Sequence, residues 1–280
     1  MSNFTPRQAG FTLIEAIMVM TITAVLAAGV AVFLRTPIDG YRDLARRTEL
    51  SDIADTAVRR VSRDLHLALP NSIRLPSNQC LEFLPTKNGG RYRADVDASG
   101  GGNVFDTAVV LSNFDVLGGL SAAPLAGDLI VIYNLGIKGA DAYNMDNVAL
   151  VSSASTSLIN INGKQFPFAS PGNRFHVVSG VEKAVAYVCT GVLGIDAAGN
   201  GTGSLVRASA YGLNSSDLKP SPCPATPVGT PILAQNISAC QFTYASGVTE
   251  RSGLISIRLA ISKNNETVNL YQEVHVNNVP

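Results

Sequence analysis

Gly10-Phe11-Thr12-Leu13-Ile14-Glu15 opens an apolar run that meets no other charge before Arg35: FTLIEAIMVMTITAVLAAGVAVFL, Phe11 to Leu34. As a helix rising about 1.5 Å per residue it would reach roughly 36 Å, enough to cross a hydrocarbon core of ~30 Å. A membrane span is the direct reading. A cleaved secretory signal fits less well, because the run is too long and carries an acid near its start. Arg35, Arg42, Arg46 and Arg47 on the far side outnumber Arg7 on the near side, which by charge alone argues for the reverse orientation. Long downstream domains translocate largely regardless of such counts.

Glu15 demands a reason. A carboxylate at the bilayer centre costs about 2.5–3.5 kcal/mol on insertion scales, and less near an end. Snorkelling to the headgroups is one answer. Cleavage after Gly10 gives another: it would free the amine of Phe11 close to Glu15, and the two charges could neutralise each other within a chain or between neighbours.

Beyond the membrane, Pro37 and Gly40 predict a kink or a short melted stretch, since Pro lacks the backbone donor and disfavours helix in the residue before it. From Tyr41 to Leu69 the helix resumes. Leu50, Ile53, Ala57, Val61, Leu65 and Ala68 recur at spacings of three or four and form one apolar stripe. Arg46, Arg47, Glu49, Asp52, Asp55, Arg59, Arg60, Arg63 and Asp64, with mixed signs, read as the solvated face. Pro70-Asn71 ends the helix.

Short β runs follow: Cys80–Leu84, Val104–Leu111, Asp128–Tyr133, Ser157–Ile161, Arg174–Val178, Lys183–Cys189, Ser204–Tyr211, Ala239–Tyr244, Leu254–Ser262 and Thr267–Val276. Ile255, Ile257, Leu259 and Ile261 alternate with Ser256, Arg258 and Ala260, as in a half-buried strand, and Lys263-Asn264-Asn265-Glu266 reads as its hairpin turn. A sheet with one apolar face would cover the helical stripe. The expected class is α+β, a long hydrophobic then amphipathic helix packed on antiparallel strands. Leu213–Pro231 and Asp95–Asn103 read as loops.

With 280 residues and 46% hydrophobic content the chain can build a core, and its net charge of zero gives no electrostatic case for nucleic acid. Cys80, Cys189, Cys223 and Cys240 all lie downstream of the span and are candidate disulfides, consistent with a domain outside the cytoplasm. Three pairings remain open. No C-x-x-C occurs and the histidines are scattered, so neither zinc nor any other cofactor is expected. No nucleophile elbow, P-loop or H-E-x-x-H appears, so an enzyme is not expected. Gly199-Asn200-Gly201-Thr202-Gly203 reads as a hairpin turn rather than a dinucleotide fingerprint. Asp95, Asp97, Ser99, Gly100 and Asp106 fall at calcium-loop spacing. Gly101, Gly102 and the lack of flanking helices favour a plain polar loop.

Gly10 through Leu34 resembles the prepilin class. The segments RRVSRDLHLALPNSIRL, KAVAYVC…GSLVRASAYGLN and ILAQNISACQFTY, with two terminal strands, resemble the larger type IV minor pilins and the J-type pseudopilins, with a likeness to minor pilins of the mannose-sensitive haemagglutinin (MSHA) pilus. The resemblance implies a helix-plus-sheet pilin fold, a leader at 1–10, an assembly helix at 11–34, an amphipathic continuation at 35–71 and a β-rich domain at 72–280. It further implies processing after Gly10 by a prepilin peptidase and N-methyltransferase, Phe11 as the methylated terminus, and Glu15 as the carboxylate that registers each incoming subunit. Implied partners are other major and minor pilins and an inner-membrane assembly platform. The implied location is the inner membrane with a periplasmic domain, then the pilus, at its tip. A type II secretion pseudopilin is the alternative, and a membrane-anchored receptor or enzyme with an uncleaved helix a remote one.

Overall fold

A computed structural model describes residues 10–214, 222–246 and 252–280, the side chains of residues 32 and 34–39 excepted. The leader up to residue 9 and the centre of the Pro-rich loop lie outside these.

The chain forms one long helix, α1 (Leu13–His66), followed by β1 (Arg74–Ser77), β2 (Cys80–Phe83), β3 (Thr86–Tyr92), β4 (Leu111–Leu117), β5 (Leu129–Ile132), β6 (Val148–Ala154), β7 (Leu158–Lys164), β8 (Arg174–Val178), β9 (Val185–Thr190), β10 (Gly203–Ser209), β11 (Ile232–Ala245), β12 (Gly253–Lys263) and β13 (Glu266–Val276). Two compact units divide it, Met1–Glu49 and Leu50–Pro280. The class is α+β.

The melted stretch expected at Pro37 and Gly40 is not found: helical backbone runs through both. A proline removes one i→i−4 hydrogen bond, and the turns on either side keep theirs. The other end stops earlier than expected, at His66. Leu69 N–H donates to the Leu84 carbonyl at 2.7 Å and Thr86 N–H to that of Leu67 at 2.7 Å. Strand-like pairing has taken the groups that another helical turn would need.

In the second unit the helical stripe meets the inner face of a seven-stranded antiparallel sheet, ordered β1-β2-β9-β10-β11-β12-β13. Leu50, Ala54, Ala57, Val58, Val61 and Leu65 are buried with Leu81, Phe83, Tyr187, Leu205, Phe242, Ile255, Ile257, Leu259 and Ile261. Each large side chain there contributes on the order of 1.5–3 kcal/mol by leaving water. The β12–β13 hairpin turns on Asn264 and Asn265, both left-handed at φ 51° and 64°, a conformation Asn tolerates in two-residue turns.

A second β body lies within the chain between β2 and β9; Asp128–Tyr133, Ser157–Ile161 and Arg174–Val178 were expected as strands and are found as β5, β7 and β8, but their closure into a body separate from the main sheet was not expected. β3-β4-β7-β6-β5-β8 close into a six-stranded barrel. Its interior is aromatic: Tyr92 stacks on Phe105 with centroids 4.1 Å apart, and Phe114 meets Phe175 edge-on at 5.4 Å. Gly90 pairs with Phe175 across β3 and β8, and a Cβ there would come within 3.1 Å of the Phe175 ring and of Leu120, so these side chains would have to shift to admit one. Val104–Leu111 is not a strand. Asp106 Oδ1 accepts from the Ala108 amide at 2.8 Å, which turns the chain, and β4 begins at Leu111. Leu69, Leu84, Leu129, Val131, Val148 and Val178 form a third cluster, joining the barrel wall to the segment after α1.

Candidate assembly surface at the amino terminus

Thr12 starts α1. Its Oγ1 accepts from the Glu15 amide at 3.3 Å and its carbonyl from the Ala16 amide at 3.1 Å, the geometry of an N-cap. Thr12-Leu13-Ile14-Glu15 is thus also the T-x-x-E of a capping box, with Glu15 in the first turn, where the helix dipole favours an anion. Gly10 and Phe11 precede the first turn, and Phe11 is 84% exposed. An amine freed at Phe11 would therefore stand beside the end of the helix that already carries Glu15.

Leu13–Ala31 is the one candidate membrane span among the described residues, with mean hydropathy 2.2 and no residue buried. Its hydroxyls are satisfied internally: Thr21 Oγ1 donates to the Met18 carbonyl at 2.9 Å and Thr23 Oγ1 to that of Val19 at 2.7 Å. Such back-bonding lets a threonine enter lipid or a helix bundle without an orphan donor. Ala24, Ala27, Ala28 and Ala31 present small side chains, the kind that lets parallel apolar helices approach closely.

Residues 5–31 match the prokaryotic N-terminal methylation motif. With the exposed apolar helix, this indicates a protein of the type IV pilin or pseudopilin type. It implies processing by a prepilin peptidase and assembly in a membrane machinery, and the helix is consistent with membrane anchoring. No curated protein and no solved structure matches the chain.

The four cysteines pair as Cys80–Cys223 and Cys189–Cys240. The first ties the Pro-rich segment to β2; the second joins β9 to β11 in the sheet core. The calcium spacing does not become a cage. Asp97 Oδ1 accepts from the Ser99 hydroxyl at 2.6 Å and from the Ser99 and Gly101 amides at 2.9 Å each, and these bonds, the hydroxyl foremost, hold its carboxyl below the usual range. Asp106 serves its own turn. No group of three or more His, Cys, Asp or Glu converges on a metal position among the described residues.

Asp64 is not on a solvated face. It is buried, receives the Tyr187 hydroxyl at 2.7 Å and Arg207 Nε at 3.0 Å, and is also paired with Arg60 at 3.2 Å. Arg207 continues to Glu182 at 2.6 Å. Burial pushes the Tyr187 phenol up, and the Asp64 carboxylate adds to that. Burial disfavours the Arg207 charge, but Glu182 and Asp64 outweigh it and hold the guanidinium protonated. This network fixes α1 to β9 and β10. The one sequence signal was that Asp64 directly precedes the stripe residue Leu65 and lies i+4 from Arg60. A second buried carboxylate, Glu82, is held by Arg74 at 2.5 Å and the Tyr211 hydroxyl at 2.8 Å, with the Arg74 guanidinium 3.5 Å over the Tyr143 ring.

Proposed function

We propose that the chain is a minor type IV pilin, of the kind represented by the minor pilin O of MSHA systems, that co-assembles with other pilins to initiate or cap a filament. The observation that carries this is the joining of a methylation-motif helix to a large two-body β domain. The apolar helix supplies the surface by which subunits bundle, and the amphipathic half is already committed to its own sheet in the pilin-like manner. A domain enlarged by an inserted barrel packs poorly among close repeating neighbours but meets no such limit at an end. Prepilin peptidase cuts after Gly10 and the Phe11 amine is methylated. Glu15 then pairs with the terminal amine of a neighbouring subunit, within the apolar bundle where an unpaired charge is costly. The role is structural rather than enzymatic. Before assembly the protein sits in the inner membrane with its β domain in the periplasm; afterwards it occupies the pilus tip, where the barrel is free to contact a surface or a partner.

Deletion of the gene, with tagged subunits located by immunogold labelling, tests this. The expected result is loss of pili out of proportion to subunit abundance, with label at filament ends. Normal piliation with failed secretion of exoproteins would instead assign the chain to a type II secretion pseudopilus, and label spread evenly along the shaft would refute the tip position.

A further inference from the structure

The two edges of the seven-stranded sheet are built differently. β1 is four residues long, contains Pro76 and shifts register against β2 between Arg74 and Ser77. Shortness, proline and irregular pairing are devices by which natural sheets discourage further pairing. β13 has none of these. It runs eleven residues without Pro, Gly or Lys, in unbroken register with β12 from Lys263↔Glu266 to Gly253↔Val276. Among the described residues no strand pairs with its outer side.

Beside that edge, the flank of α1 and Gln272 enclose a groove of about 720 Å³, lined in part by Val58, Ser62, Arg63, His66 and Leu67. Ser62 Oγ is buried there without a hydrogen-bond partner among the described residues. Arg59 in the same groove is neutralised by Asp55 at 2.6 Å, whereas Arg63 has no such partner among the described residues. A strand added at the usual ~4.8 Å from β13 would lie over this groove and drop alternate side chains into it.

We infer that β13 accepts an extended segment of a different pilin-type subunit as an eighth strand, with apolar side chains over Val58 and Leu67 and a carboxylate against Arg63. This rests on the pilin-type function proposed above. A second copy is the poorer occupant. Two-fold pairing of β13 with itself would run the two α1 helices in opposite directions, whereas subunits entering one filament from one membrane share a polarity. Pairing β13 with another copy's β1 would use the blunted edge. Main-chain hydrogen bonds supply affinity in such strand addition, and the side chains over the groove supply selectivity.

The test is in-cell photocrosslinking with Gln272→p-benzoylphenylalanine in the full chain, expressed in its own cells, with peptide sequencing of the product. The expected product joins position 272 to an alternating apolar and acidic segment of another chain that itself carries an N-terminal methylation motif. The same photoprobe at Leu75 on β1 gives no product. Arg63→Glu lowers the yield by about tenfold or more, and Arg63→Lys leaves it within about twofold. A product with a second copy of this chain, no product, or a yield indifferent to Arg63→Glu overturns the inference. Cleavage after Gly10 is measured in the same cells: a processed chain without the crosslink refutes the added strand and leaves the function standing, whereas an unprocessed chain refutes the function.

Discussion

Replacing Asp64 by Ala should loosen α1 from its sheet. The carboxylate is 10% exposed and accepts from Tyr187 at 2.7 Å and Arg207 at 3.0 Å. Removing one member of a buried ion pair costs about 3–5 kcal/mol, because the other charge is left without compensation. Arg207 keeps Glu182 at 2.6 Å, and the Arg60 contact, with Arg60 46% exposed, is screened and adds little. The lower end of that range applies, about 3 kcal/mol. With a urea m-value near 3 kcal/mol/M, the unfolding midpoint of the detergent-solubilised full chain should fall by about 1 M without a change in m. Asp64→Asn, which can still accept from Tyr187, should lose roughly half as much. In the double variant Asp64→Ala with Arg207→Met, the two losses should fail to add by about 1 kcal/mol or more. An unfolding free energy for Asp64→Ala within about 0.5 kcal/mol of wild type, or strict additivity, would refute the network.

Iodoacetamide applied without reductant should modify none of the four cysteines, and opening either bridge should cost about 2–4 kcal/mol, since both close long loops, with sequence separations of 143 and 51; four modified thiols would reject the pairing. His176 is half-buried with its Nε2 shielded from water, and burial first and the Arg174 charge second lower its pKa. The unfolded chain therefore takes up the proton at higher pH than the folded one, so stability should be lost as pH falls below about 6.5 and His176→Gln should flatten that slope; an unchanged slope in urea titrations would contradict this. Glu15→Leu should leave membrane insertion intact yet impair filament assembly, and normal pilus numbers in that variant would exclude the pairing with Phe11.

The amino-terminal helix was legible because its determinants are local: one charge in an otherwise uninterrupted apolar run; the Thr12 cap was not read from the sequence. The stripe on α1 and the alternation in β12 were equally plain, since each records a single repeating period. What the chain concealed was non-local. β3, Thr-Lys-Asn-Gly-Gly-Arg-Tyr, has the composition of a turn and becomes a strand only because barrel closure brings β4 and β8 to its two sides. β1 contains a proline, which local propensity counts against any strand, and is tolerated at an edge. Asp64 belongs to the polar face by periodicity, but periodicity carries no information about Tyr187 and Arg207, more than a hundred residues away. The choice among three disulfide pairings was likewise decided by which strands the sheet brings together, not by spacing along the chain.

If this helix enters a filament as proposed, it does so through a processed, charged amine next to Glu15. Intact-mass and N-terminal analysis of the chain from cells with an active prepilin peptidase tests it most directly. A single species beginning at a methylated Phe11 is expected, about 1 kDa below the encoded 29.3 kDa at roughly 0.1 kDa per residue. Retention of residues 1–10 in those cells would contradict it.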